Sequence, residues 1–129
     1  MSENKLYVTW SEVEEFVKYI GENYKGTING VYGLPRGGLV IATMVSYLLN
    51  IPLLSAPCEG CLVVDDICDT GESLIHYAKN TANGGNSKYN ILTMFYKPHS
   101  SIKVNYQKLI DSKIWVVFPW EKTIEEYEQ

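Results

Sequence analysis

The sequence predicts an α/β fold, a parallel sheet covered by helices on both faces. Three observations predict it. Short apolar runs alternate with helical stripes along the chain. The runs are continuously apolar rather than alternating, the pattern of strands buried on both faces. The loops after three of these runs carry unusual polar chemistry, and in such sheets ligands gather at the carboxyl ends of the strands.

Taken in order, Thr9 with Glu12 three residues on reads as a capping box opening a helix. Val13, Phe16, Val17 and Ile20 then form one apolar stripe, and Gly26 ends the unit. Ile28 to Tyr32 is a short buried strand entering the loop Gly33 to Gly38. Leu39 to Asn50 follows as a helix, and Ile51 to Leu54 as another strand. Cys61 to Val64 is a strand ended by two aspartates, with a loop from Asp66 to Gly71 and a helix from about Glu72 to Lys79. Asn83 to Ser87 is a turn and Tyr89 to Tyr96 a strand. Tyr106 to Ile110 reads as a helical turn, and Ile114 to Phe118 as the last strand. No repeat or low-complexity linker occurs, so residues 1–129 are expected to form one domain.

Composition bounds the function. Hydrophobic residues make up 46% and charged residues 20%, which argues for a globular chain over a disordered one. A formal charge of −4 disfavours a general nucleic-acid surface, which needs excess Lys and Arg against phosphates. The acidic clusters near the two ends, Glu12 to Glu15 and Glu121 to Glu128, read as solvated faces. The longest apolar stretch, Leu39 to Leu49, is too short for a membrane span. Three cysteines, without a recognisable export signal, point to reducing cytoplasm. Cys58 and Cys61 have C-x-x-C spacing, but no second such pair completes a zinc site.

The densest chemistry lies in Val63-Val64-Asp65-Asp66-Ile67-Cys68-Asp69-Thr70-Gly71-Glu72-Ser73-Leu74. Backbone amides at a helix start suit a phosphate, Gly71 allows close approach, and Thr70 and Ser73 add hydroxyl donors. The carboxylates of Asp65 and Asp66 suit vicinal sugar hydroxyls or a magnesium-bound diol. Phosphate and diol together describe a ribose 5-phosphate.

This segment closely resembles the phosphoribosyl pyrophosphate signature of the type I phosphoribosyltransferases. The resemblance covers nearly the whole chain in order and implies that family's fold. Tyr96-Lys97-Pro98, Trp115 with its apolar neighbour, and Pro119-Trp120-Glu121 look most like the bacterial xanthine-guanine enzymes. It implies 5-phosphate binding by Cys68, Asp69, Thr70, Gly71, Glu72 and Ser73, and ribose and magnesium binding at Asp65 and Asp66. Glu121 stands where the family has an aspartate near a metal. Pro35, Arg36 and Gly37 resemble the pyrophosphate loop, with a non-proline cis peptide expected between Pro35 and Arg36. Lys97 would read the purine 6-oxo group, Trp115 stack on the base, and the Val116 backbone read its other edge. Asp69 would take or hold the base proton.

The implied activity is transfer of the phosphoribosyl group from phosphoribosyl pyrophosphate to guanine, xanthine or hypoxanthine, with Mg2+, in purine salvage. Relatives usually dimerise or tetramerise, so a homo-oligomer is implied too. One departure stands out. Family members carry a long lid between the strand after the first core helix and the acidic strand. Here only Ser55 to Gly60 lies between Leu54 and Cys61. A module that binds phosphoribosyl pyrophosphate or a nucleotide without turnover is therefore the alternative.

Overall fold

The computed structural model describes residues 4–78 and 88–128. The turn expected at Asn83 to Ser87 lies outside the described residues. Helix α1 spans Trp10–Tyr24, opened by the expected capping box, in which the Glu12 amide donates to Thr9 Oγ1 and the Thr9 amide to Glu12 Oε1. The stripe of Val13, Phe16, Val17 and Ile20 is buried without exception. Burial of each such side chain contributes roughly 1.5–3 kcal/mol.

Strand β1 (Asn4–Tyr7) precedes α1 and pairs in parallel with β6 (Ile114–Val117), making a small two-stranded sheet. The main sheet has four parallel strands in the order β2 (Val31–Gly33), β3 (Leu62–Cys68), β4 (Asn90–Tyr96), β5 (Asn105–Leu109). Helix α2 (Gly37–Leu49) packs on β2 and β3 and ends at Asn50, whose φ of 52° is a left-handed cap.

Leu62 and Val64 of β3 join α1 and α2 in one apolar cluster, while Cys61 and Val63 join Leu74 and Tyr77 in a second cluster on the opposite face. Helix α3 (Ile75–Ala78) belongs to that second layer. The sheet is thus covered on both faces, as the continuous apolar runs of β3 and β4 require.

Several local expectations need correction. Strand β3 does not stop at the aspartates; it runs through them to Cys68, because Asp65, Ile67 and Cys68 still pair with Thr93, Phe95 and Tyr96. The helix expected from Glu72 begins only at Ile75, after a turn in which Leu74 and Ile75 donate to the Gly71 carbonyl. Ile51 to Leu54 gives a single bridge, Val31 to Leu53, and no strand. Tyr106 to Ile110 is no helical turn: Asn105–Leu109 is the outer strand β5, half-exposed and so without the apolar run of a central strand. A 3-10 turn at Pro119–Glu121 and helix α4 (Ile124–Tyr127) follow β6.

Candidate active site

A cavity of about 810 Å3 opens at the carboxyl ends of β2 and β3, within the usual range for a small-molecule site. Pro35, Arg36 and Gly37 form one wall, the run Asp65 to Leu74 another, and Trp120, Glu121 and Lys122 close a third side. These are the three chain segments that follow β2, run along the end of β3, and follow β6.

The first wall is the turn into α2. Its Pro35–Arg36 peptide is cis, as expected. A β-carbon at Gly37 would overlap Asp66 Oδ2 and sit 3.1 Å from Trp120, so a larger residue there would displace the Asp66 carboxylate. No side chain caps α2, so the Gly37 and Gly38 amides have no hydrogen-bond acceptor among the described residues. The unpaired amides and positive dipole end of a 13-residue helix therefore face this loop. Arg36 is exposed on the cavity rim and has no ion-pair partner among the described residues.

The second wall carries the acidic pair. Asp65 is only 8% exposed, and its Oδ1 accepts from the Asp66 amide at 2.9 Å. Burial, then the neighbouring Asp66 charge, pushes the Asp65 carboxyl up to about 8. Burial also raises Asp66, with the Glu121 charge adding to the effect. Two carboxylates so desolvated call for a compensating cation or hydroxyl donors.

Beyond them, Gly71 adopts a φ of +92°, and Thr70 is tied at its carbonyl to the Ser101 amide at 2.9 Å and the Ser101 hydroxyl at 3.0 Å. The amides of Thr70, Gly71 and Ser73 find no acceptor among the described residues, while Glu72 donates to Thr70 Oγ1 at 3.3 Å. The loop is thus pinned from behind by residues 100–102 and left with free donors. Because the described helix α3 is so short, these loop amides, more than a helix dipole, supply the anion-binding groups.

Asp69 is held from two sides. Lys97 Nζ, at the end of β4 and 4% exposed as a residue, donates to Oδ2 at 3.2 Å. His99 Nε2 lies 2.5 Å from Oδ1. Burial works to raise the Asp69 carboxyl, but the hydrogen bonds and charges of His99 and Lys97 outweigh it and leave it below the ordinary range. Lys97 is thus engaged by Asp69.

Trp115 and Val116 lie on β6. Trp115 is 57% exposed, opposite Lys5 of β1, and Val116 faces the core. Neither is on the cavity wall; Trp120 is, stacked on Phe118 with centroids 5.0 Å apart. Glu121 lines the cavity, with Oε1 accepting from the Phe118 amide at 2.6 Å. Sequence reasoning missed the cavity position of Trp120 and Lys122 and the pairing of His99 with Asp69. The Pro119-Trp120-Glu121 motif pointed to the first; nothing in spacing could reveal a contact across 30 residues.

For a metal, the test is the donor set. Asp65 and Asp66 offer hard oxygens whose charge burial leaves uncompensated, which fits a divalent cation such as Mg2+. Mg2+ needs only one or two protein carboxylates, the rest of its shell being water and substrate oxygens. No group of three or more potential metal-binding His, Cys, Asp or Glu side chains occurs among the described residues. Cys58 is exposed and Cys61 buried, both free, with the Cys58 amide donating to Cys61 Sγ at 3.4 Å.

The replacement for the lid is a built turn at the other end of the sheet. Asn29 donates from its amide to the Gly60 carbonyl at 3.1 Å and from its side chain to the Glu59 carbonyl at 2.8 Å. The Gly60 amide donates to the Lys88 carbonyl at 2.5 Å. Asn29, Gly60 and Lys88 precede β2, β3 and β4, whereas the cavity lies where β2 and β3 end.

No protein-family profile matches the chain. Among curated proteins it is 26% identical to a xanthine-guanine phosphoribosyltransferase of Idiomarina loihiensis, covering 93% of this chain and 89% of that protein. That alignment runs over 152 positions against 129 residues here, so the relative carries residues without a counterpart in this chain. Among solved structures, a purine phosphoribosyltransferase from Pyrococcus horikoshii superposes with a TM-score of 0.75 at 25% identity, over 92% of this chain and 95% of that one. A xanthine-guanine-hypoxanthine phosphoribosyltransferase of Helicobacter pylori gives 0.73 at 20% identity, over 97% and 99%. No described helix is long and apolar enough to cross a membrane.

Proposed function

We propose that this chain, whose fold and relatives are those of the type I phosphoribosyltransferases, transfers the phosphoribosyl group of phosphoribosyl pyrophosphate to a 6-oxopurine, releasing pyrophosphate. One juxtaposition carries the reading: the unpaired amides of Thr70, Gly71 and Ser73 share a cavity with the buried Asp65 carboxylate and the half-buried Asp66 beside it. The first set suits the 5-phosphate and the second the ribose diol, so one sugar phosphate satisfies both.

In this reading Cys68 to Ser73 wrap the 5-phosphate, and the Thr70 and Ser73 hydroxyls add donors to the amides. Asp65 and Asp66 accept from the ribose 2- and 3-hydroxyls. Arg36, with the Gly37 amide, holds the pyrophosphate across the cavity through a planar charged fork. Bound Mg2+, on Asp65 and Asp66 with Glu121 nearby, would neutralise charge on the departing pyrophosphate. The base enters beside Asp69, which accepts its proton as the new bond forms at the sugar. Lys97 holds Asp69 in place, and a base bound beside Asp69 would have to extend past the cavity wall described above to meet Lys97, Trp115 and the Val116 backbone.

A second reading is favoured by a specific observation. The turn that stands where a lid would arise is tied to Asn29 and Lys88, at the sheet end opposite the cavity. No residue of it reaches the reacting centre, and an open centre admits water. A binding module without turnover would have this geometry.

The experiment that separates the two incubates the protein with phosphoribosyl pyrophosphate, Mg2+ and each of guanine, xanthine, hypoxanthine and adenine, following nucleotide formation. Turnover with a 6-oxopurine, lost in Asp69→Ala, is the expected result. Calorimetric binding of phosphoribosyl pyrophosphate without turnover would establish the binding module instead.

A further inference from the structure

Lys122 stands on the cavity wall, and the reading above gives it no part. It and Arg36 are the cationic side chains on that wall; the other charged groups there are carboxyls. Arg36 follows β2 and Lys122 follows β6, so they reach the cavity from different segments. Those segments touch. A β-carbon added at Gly37 would lie 3.1 Å from the Trp120 ring, which sets residues 119–122 against the loop that carries Arg36.

The backbone at Lys122 is fixed from both sides. Before it, Glu121 Oε1 accepts from the Phe118 amide at 2.6 Å and closes the 3-10 turn. After it, the Thr123 amide donates to Glu126 Oε1 at 3.0 Å and Thr123 Oγ1 accepts from the Glu126 amide at 3.4 Å, the capping box of α4. The exposed side chain is the part left to move. Its Nζ rests 4.6 Å from the centre of the exposed Tyr127 ring. No carboxylate lies within ion-pair distance of it among the described residues. An exposed ring holds a cation weakly beside a charge-assisted bond to phosphate. The flexible four-carbon stem of lysine lets the ammonium swing from one to the other.

We propose that Lys122 is the second cation for the pyrophosphate group, leaving the Tyr127 ring to bond its oxygens from the side of Trp120. The inference rests on the reading that this cavity takes phosphoribosyl pyrophosphate. A pyrophosphate at Arg36 and the Gly37 amide, even with Mg2+ bound, brings negative charge into a cavity lined by carboxyls. A second ammonium offsets that repulsion at close range. Because the segment of Lys122 meets the Arg36 loop through Trp120, its effect falls on pyrophosphate and not on the 5-phosphate. Lys122 is thereby a specificity-determining residue, separating ligands that carry pyrophosphate from those with a 5-phosphate alone.

The test is calorimetry in Mg2+ with phosphoribosyl pyrophosphate, inorganic pyrophosphate and guanosine monophosphate, which carries a ribose 5-phosphate but no pyrophosphate. Lys122→Gln is expected to weaken the first two about 10-fold, the scale of one charge-assisted bond, and leave the third within about twofold. Lys122→Arg keeps the charge and is expected to stay within about threefold of the wild type for all three. Tyr127→Leu removes the ring but not the cation, and is expected to leave pyrophosphate binding unchanged. Lys122→Gln with wild-type affinity for phosphoribosyl pyrophosphate and pyrophosphate would overturn the inference while leaving the transferase reading intact. So would an equal loss for guanosine monophosphate, or a Tyr127→Leu as weak as Lys122→Gln, since either makes Lys122 a support of α4 alone. A wild type that binds none of the three ligands would overturn the transferase reading as well.

Discussion

The two ends of the main sheet treat their backbone polar groups in opposite ways. At the amino ends of β2, β3 and β4, the short turn over residues 55–60 is bonded to Asn29 and Lys88, and Leu62 donates to the Gly30 carbonyl. At the carboxyl ends, the amides of Gly37, Gly38, Thr70, Gly71 and Ser73 have no acceptor among the described residues, and a buried carboxylate, Asp65, stands beside the half-buried Asp66. One end is finished by its own chain; the other leaves polar groups unpaired at the cavity. Unsatisfied groups kept together at a cavity weaken the free protein, so their concentration at one end marks where binding free energy is recovered.

Substitutions at the two ends should therefore fail differently. The largest effect is expected for Gly37→Ala, whose β-carbon collides with Asp66. Nucleotide formation should fall by more than about 100-fold, as misplacement of catalytic groups does, and calorimetry should show phosphoribosyl pyrophosphate binding lost with it. Gly37→Ala with normal binding would break the contrast.

Asp65→Asn should act in opposite directions on function and stability. Transfer should be lost, yet the melting temperature of the free protein at pH 8 should rise by several degrees. The sign follows from the raised carboxyl, about 8 when folded against an ordinary value of 3.8. That contribution to stability is full below about pH 4 and is lost as pH rises through 8, since the unfolded chain ionises first. Thermal melts of the wild type without ligand should accordingly show stability from this pair falling between pH 4 and 8, and Asp65→Asn should flatten the slope. A steeper slope in the variant would contradict the assigned cause.

The smallest effect is expected at the finished end. Gly60 has a φ of +86°, and a β-carbon there would lie 2.7 Å from Asn29 Nδ2. Gly60→Ala should cost about 1 kcal/mol or somewhat more, read in denaturant melts, with kcat/KM unchanged. A loss of activity comparable to that of Gly37→Ala would show that the two ends are not separable.

What the sequence made legible follows the same division. That the run from Asp65 to Leu74 and the Pro-Arg-Gly-Gly turn line one cavity could be read because each packs its polar groups into a few consecutive residues. The stripe of α1 could be read because burial and helical period coincide at Val13, Phe16, Val17 and Ile20. Strand β5 was hidden because an outer strand with exposed Asn105, Tyr106 and Leu109 lacks the apolar run that betrays a central one. Strand β1 was hidden for a related reason: Asn4, Lys5 and Tyr7 are exposed, and its sheet partner among the described residues is β6, more than 100 residues later in the chain. The end of β3 was misjudged because aspartate usually ends a strand, whereas here Asp65 is retained inside one and buried. The bracket of Asp69 by Lys97 and His99 arises only when the ends of β3 and β4 are brought into register.

The measurement that tests the central claim most directly counts products from phosphoribosyl pyrophosphate, Mg2+ and guanine or xanthine, quantifying nucleoside monophosphate, pyrophosphate and free ribose 5-phosphate together. The account predicts pyrophosphate release that depends on the base, with nucleotide as the main product and some ribose 5-phosphate because the short turn leaves the centre open to water. Bound phosphoribosyl pyrophosphate that yields neither pyrophosphate nor nucleotide would contradict it and make the open end of the sheet a binding site alone.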